Sequence, residues 1–171
     1  MAEISGSTQK WYALYTKPRF EKKVYDLLVK KNIHTFLPLR KRLKQWKNRK
    51  AWVNEVLFNS YIFVFISENE FLNALKTDGI VRFVSFEKKP VPIPESQIET
   101  VKKIIATNIV FDISFDKLQI GDLVEVTDGA LIGIRGNLVN FKGNKKVAVT
   151  FDILNQSILL EIDPKLLKRI K

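Results

Sequence analysis

Cysteine is absent from the 171 residues. That excludes disulfides and thiolate metal sites, and nothing else points to secretion. Histidine occurs once, as His34. With a single imidazole no convincing Ser-His-Asp or metal-ligand set can be assembled, so His34 reads as structural and no enzyme, metal or cofactor is expected. No apolar run is long enough to span a bilayer, and Met1 to Gln9 are small and polar, without the charged start and apolar core of a signal peptide. The expectation is a soluble, cytoplasmic chain with a loose tail over 1–9 and no membrane association. Internal repeats and low-complexity tracts are missing too.

Acidic residues are also in short supply. The chain holds 29 Lys+Arg against 18 Asp+Glu, a formal net charge of +11. A soluble protein this basic commonly meets a polyanion, most often nucleic acid. The excess is uneven: 1–112 carries 20 basic and 11 acidic residues, net +9, and 113–171 carries 9 and 7, net +2. The first part is therefore the better nucleic-acid candidate. At 46% hydrophobic and 11% aromatic, the chain has ample material for packed cores.

What is present falls into two patterns. Trp11 to Thr16 reads as a strand ended by Lys17-Pro18. Pro18 suits the first turn of a helix, and Phe20, Val24, Leu27, Leu28 and Val29 follow at helical spacing, with Asn32 marking the end. Thr35 to Leu39 is a short strand. Arg40 to Glu55 is the most charged segment, and Trp46 and Trp52 lie symmetrically about Arg49. A hairpin with its tip near Asn48 to Lys50 would bring the two indoles close across the strands. Ser60 to Ile66 is a continuous run of β-formers suited to the centre of a sheet. A short helix over Glu68 to Asp78, a strand over Val81 to Phe86 and a helix over Glu95 to Thr107 complete an antiparallel sheet with packed helices. Beyond Asn108 only strands and turns follow, suggesting a small β-barrel. The fold class is α+β, with an N-terminal domain over 10–107, a linker over 108–115 and a barrel over 116–171.

The stretch GDLVEVTDGALIGIRGNLV, 121–139, resembles a KOW motif, the Gly-spaced core of a small SH3-like barrel found in NusG proteins and several ribosomal proteins. Gly121, Asp122, Gly129, Gly133 and Gly136 carry that likeness. Gly129 follows an Asp at a turn that needs positive φ, and Gly133 and Gly136 read as tight bends between strands. Their spacing fits neither a dinucleotide fingerprint nor a P-loop. The carboxylates Asp122, Glu125 and Asp128 cluster in sequence but fall on the same strand and turn.

Upstream, WYALYT from Trp11, KPRFEKKV from Lys17, LFNSYIFV from Leu57, GIVRFV from Gly79 and PIP from Pro92 resemble, in order, the N-terminal (NGN) domain of NusG-type transcription elongation factors. The resemblance implies a non-catalytic, monomeric factor that binds the clamp helices of bacterial RNA polymerase through an apolar concavity. By position, Phe58 and Tyr61 fall at its wall, with core residues at a strand start as the competing reading. It also implies contact with the non-template DNA strand of the transcription bubble through Lys17, Arg19, Lys22, Lys23 and Arg82, where a solvated helix face is the alternative. The Trp46/Trp52 segment reads as a hairpin-stabilising pair carried on nucleic-acid-facing charge.

Two departures refine the resemblance. The family's Phe-Pro-Gly-Tyr is Phe58-Asn59-Ser60-Tyr61 here, and its Ile-Phe-Gly-Arg turn, which serves ribosomal-protein and Rho contacts, is Ile153-Leu154-Asn155-Gln156. That pattern is closer to specialised paralogs such as RfaH, which suppress pausing or termination on selected operons, and it counts against a ribosomal-protein partner. A KOW-containing ribosomal or RNA-binding protein is the alternative function; its basicity would be expected on the barrel, which here is near neutral.

Overall fold

The computed structural model describes residues 8–114 and 121–171, so most of the expected tail and the start of the expected barrel lie outside the described residues. The chain forms two compact units, Met1–Glu95 and Ser96–Lys171.

The first unit contains β1 (Lys10–Thr16), α1 (Glu21–Lys30), β2 (His34–Phe36), β3 (Leu39–Trp46), β4 (Arg49–Val56), β5 (Tyr61–Ile66), α2 (Phe71–Leu75), β6 (Ile80–Phe83), and the short strands β7 (Ser85–Phe86), β8 (Lys89–Pro90) and β9 (Pro92–Ile93). Its main sheet runs β2-β5-β1-β6, with β9 also paired to β1. As the unbroken apolar run over 60–66 implies, β5 is central, antiparallel to β1 in the register Trp11↔Phe65, Ala13↔Phe63, Tyr15↔Tyr61.

Strand alternation divides this sheet into two faces. Tyr12, Leu14, Ile62, Val64 and Ile66 meet Val24 and Leu28 of α1 and Ile33, Leu37, Ala74 and Phe83 in a buried core. Each large aliphatic side chain so buried contributes about 1.5–3 kcal/mol. The opposite face is aromatic: Trp11 packs against His34 at 5.2 Å and Phe65 at 5.3 Å, Phe36 and Phe58 both pack against Phe63, and Tyr15 meets Tyr61 edge-on at 5.5 Å.

Helix α1 ends where the sequence indicates. Asn32 has φ +58 and Ile33 N–H reaches back to the Leu28 carbonyl, a left-handed stop for which Asn is a good second to Gly. Its start differs from expectation. Arg19 has φ +66, so Pro18-Arg19 forms a separate turn and the helix opens at Glu21. Pro18 pre-sets that turn, and the left-handed residue after it prevents helical hydrogen bonding from starting there.

The hairpin also needs correction. Its two-residue turn is Lys47-Asn48, with Trp46↔Arg49 and Leu43↔Trp52 as opposed pairs. Trp46 and Trp52 are therefore not cross-strand partners. Counting by twos along each strand from these pairs puts the indoles on opposite faces of the ribbon. Shifting a hairpin's tip by a residue or two is enough to separate side chains placed symmetrically about the wrong centre.

The second unit holds α3 (Glu95–Ile105), β10 (Phe111–Ser114), β11 (Leu123–Val126), β12 (Arg135–Phe141), β13 (Asn144–Phe151), β14 (Gln156–Leu160) and β15 (Leu167–Arg169). Helix α3 buries Ile98, Val101 and Ile104, as its periodicity indicates. The strands form one antiparallel sheet in the order β10-β14-β13-β12-β11-β15, so this part is β-rich. Every residue of β14 is buried. Residues 108–115, expected as a linker, include β10, paired with β14 from Phe111↔Leu160 to Ser114↔Ser157. The apolar character of that stretch is that of a sheet strand.

Gly136 is not a bend. It lies within β12 opposite Val124, where a Cβ would stand 2.5 Å from the Ala148 carbonyl oxygen; only glycine permits that approach. Gly129 does sit at a turn, with φ +81 and its N–H bonded to the Asp128 carboxylate at 2.7 Å. Gly121 and Gly133 also have positive φ. Asp122 pairs with Arg169 at 2.8 Å.

Candidate nucleic-acid and partner interface

The segment from Leu57 to Tyr61 is built by a small set of backbone bonds. Ser60 has φ +65, a left-handed conformation that costs a non-glycine residue about 1–2 kcal/mol. Its N–H donates to Glu21 Oε1 at 2.7 Å and its carbonyl accepts from Thr16 N–H at 2.8 Å. Glu21, first residue of α1, is only 6% exposed. The carboxylate thus secures the turn leading into β5 and locks it to the end of β1. A serine held at this φ depends on that external support.

The two candidate partner residues on this segment lie differently. Phe58 is fully buried, 0% exposed, edge-on to Phe63 at 6.0 Å. Tyr61 is half-buried beside Tyr15. Burial raises the Tyr61 phenol pKa, the neighbouring Tyr15 adds to this, and the Arg82 guanidinium opposes it. Arg82 itself lies over the Tyr15 ring at 5.6 Å. Tyr15 was not singled out in the sequence; the signal was the alternation in Trp11-Tyr-Ala-Leu-Tyr15 matched by Tyr61-Ile-Phe-Val-Phe65.

The candidate cations fall into three places. Lys17 and Lys23 flank Asp78, at 4.0 and 2.7 Å, and both lie over the Phe20 ring. The hydrogen bond and charge of Lys23 hold the Asp78 carboxyl below its usual range. Arg19 is exposed on the adjoining turn. Arg82 joins the Tyr15–Tyr61 pair. Lys22 points elsewhere: its Nζ donates to the Asn54 carbonyl at 2.9 Å, tying α1 to the foot of the hairpin.

The hairpin itself carries Arg40, Lys41, Arg42, Lys44, Lys47, Arg49 and Lys50 against Glu55 alone. On one face Arg40, Arg42 and Lys44 converge on Glu55 at 3.1, 3.4 and 3.4 Å. Burial would raise the Glu55 pKa, but the bonds from Arg40, Arg42 and Lys44 outweigh it and hold the carboxyl below its usual range. Arg49 covers the Trp46 ring at 5.3 Å on that same face. At the hairpin's foot a cleft of about 430 Å³ lies between α1, the β2–β3 segment and β4, lined among others by Lys22, Tyr25, Phe36, Leu39 and Asn54.

Among the described residues no cluster of His, Asp and Glu is arranged to hold a metal, and no helix is long and apolar enough to cross a membrane. In the second unit, the turn at Ile153 to Gln156 places Asn155 at φ +53 and buries Leu154 and Gln156. Asn is among the residues that tolerate this left-handed position, and Gln156 is a buried amide.

Comparison with known proteins bears on this arrangement. The family model described as transcription termination factor NusG matches residues 9–102. The transcription termination/antitermination protein NusG of Borreliella burgdorferi is 22% identical over 95% of this chain and 100% of its own length. The protein of that name from Streptococcus pyogenes is 20% identical over 90% of this chain and 92% of its own. Among solved structures, one concerned with domain interaction in Thermotoga maritima NusG superposes with a TM-score of 0.60 at 20% identity, covering 96% of this chain and 98% of that one. That likeness supports the two-part α+β fold.

Proposed function

Because the chain belongs to the NusG family of transcription termination and antitermination factors, we infer that it acts on elongating bacterial RNA polymerase as a non-catalytic bridging protein. The first unit docks on the polymerase clamp helices, with Tyr61 and Tyr15 as the exposed part of the docking wall and Phe58 as the buried residue that holds it in place. Aromatic anchors at the margin of a packed patch are the usual source of such binding energy. Lys17, Arg19 and Lys23, joined by Arg82, reach phosphates of the non-template strand. Lysine and arginine contacts of this kind position a strand without reading its sequence. Lys22 contributes by fixing the hairpin to α1.

The observation that carries this reading is the Glu21–Ser60–Thr16 lock. It holds the Phe58 to Tyr61 turn, the β1 end and the basic start of α1 as one piece, so that polymerase docking and strand contact are presented together. The second unit works as a KOW module whose ribosome- and Rho-facing turn is altered at Asn155 and Gln156. The factor therefore suppresses pausing and termination on selected operons, in the manner of a specialised paralog.

The test is binding of the full chain to a bacterial transcription elongation complex with a general NusG protein as competitor. Mutually exclusive binding that weakens about tenfold or more with Tyr61→Ala is expected. Failure to compete, with tight binding to ribosomal RNA instead, would replace this reading by the KOW ribosomal one.

A further inference from the structure

The hairpin is asymmetric in how it uses its cations. On one face Arg40, Arg42 and Lys44 are drawn onto Glu55, and the Trp46 ring is covered by Arg49. The other face carries Lys41, Leu43, Lys50 and Trp52. Leu43 and Trp52 are opposed across the strands and remain 47% and 70% exposed. Among the described residues neither Lys41 nor Lys50 has an acidic partner. An indole this exposed, on a ribbon of net charge +6 over 39–56, fills no core, and its pairing with Leu43 leaves most of the ring free.

This face also continues into the cleft. Asn54 and Leu39, which line it, belong to the same face as Trp52, and one step of two residues along β4 separates Asn54 from Trp52, about 7 Å. Lys22, bonded to the Asn54 carbonyl, and the exposed ring of Tyr25 stand on the opposite wall. Asp26, the cleft's single acid, repels phosphate but accepts from the amino group of a base.

We propose that this ribbon face and the cleft at its foot form a binding track for single-stranded DNA, separate from the cations at the start of α1. One base stacks on Trp52, its neighbour enters the cleft with an amino group toward Asp26, Lys41 beside Asn54 neutralises the phosphate between them, and Lys50, one step toward the tip, the phosphate beyond Trp52. Alternating aromatic platforms and lysines is how sequence-tolerant single-strand sites are built. The positive charge of the ribbon favours a polyanion over a protein surface. The choice of DNA as occupant rests on the proposed function, in which an open DNA strand lies alongside the first unit.

The experiment measures binding of labelled oligo(dC) to the full chain by fluorescence anisotropy across a salt series. Trp52→Ala is expected to weaken binding about tenfold, Trp52→Tyr to restore most of it, and Trp46→Ala on the opposite face to change it less than about twofold. Removing Lys41 and Lys50 together should flatten the salt slope by roughly 1.4. All four side chains are exposed, and a thermal melt by circular dichroism verifies that each variant is folded. Equal losses from Trp46→Ala and Trp52→Ala, no loss from Trp52→Ala, or clear preference for oligo(rC) would overturn the proposal. The polymerase competition with Trp52→Ala separates the two readings: docking that fails while oligo(dC) binding stays Trp52-dependent removes only the proposed function. Docking that survives without Trp52-dependent binding removes only the track.

Discussion

The two faces of the β3–β4 hairpin have nearly the same residue types and opposite fates. One gathers three cations on Glu55 and lays Arg49 over a Trp46 that stays 42% exposed; the other leaves two lysines, a leucine and a 70% exposed indole without such partners. The same contrast separates the two units on a larger scale. In the second unit Lys146 is drawn into the fold, 8% exposed and bonded to Asp112 at 2.7 Å, while Arg135 stays at the surface and is paired with Glu125 at 2.6 Å. Charge content alone does not make a polyanion surface. What matters is how much of it exceeds its internal partners and stays at the surface, as where the exposed Lys17 and Lys23 share the one carboxylate of Asp78.

The largest effect expected in breaking this comparison is at Phe58, the buried end of the proposed docking wall. Phe58→Ala removes a fully buried ring and should cost about 3–5 kcal/mol of stability, read as a lowered urea midpoint. Tyr61→Ala, half-exposed, should lower polymerase affinity with a much smaller shift. If the two variants destabilise equally, the division into a support and a contact residue fails.

Next is the lock. Glu21→Ala strands the Ser60 N–H in a part-buried site and should cost about 1–3 kcal/mol. Ser60→Gly relieves the left-handed strain and should recover about 1 kcal/mol. Chemical denaturation of each variant measures both, and an unchanged stability in Glu21→Ala would show that the carboxylate does not hold the turn.

A smaller effect is the pH dependence of the hairpin. Glu55 is held below its ordinary value in the folded state, so its contribution is fully present above the unfolded value and is lost as pH falls through the folded one. Stability contributed by the Arg40–Arg42–Lys44 set should therefore decline below about pH 4. Comparing the acid limb of the stability curve for wild type and Glu55→Gln tests this: the variant should lack that portion of the decline. The smallest effect belongs to Lys23→Ala. It breaks a solvent-screened pair with Asp78 and should leave the thermal midpoint nearly unchanged, while reducing the salt dependence of strand binding by about one phosphate.

Much of this was legible in the sequence because the relevant signals are local. The run over 60–66 demanded a central strand, the 3.6-residue stripe of α1 and its Asn32 stop demanded that helix, and the Gly-spaced stretch over 121–139 announced a β-rich second part. What was missed depended on register or on distant partners. The Trp46–Trp52 pairing failed because no strong turn residue marks Lys47-Asn48 as the tip. The strand over Phe111–Ser114 was hidden because only its pairing with β14 distinguishes it from an apolar linker. Tyr61 was named from the sequence, but its partner Tyr15 was not, because their face is assembled from β1, β2 and β5 together.

The sequence by itself determined the order of elements, the family and the concentration of positive charge in the first part, since periodicity, turn chemistry and composition are properties of short stretches of chain. Tertiary structure alone decided that Phe58 is buried while Tyr61 is half-exposed, that Glu21 secures Ser60 thirty-nine residues away, and that Trp52 stands open while Arg49 lies over Trp46. Those outcomes depend on which groups meet across strands, and a one-residue change of register sends every side chain of a ribbon to its other face.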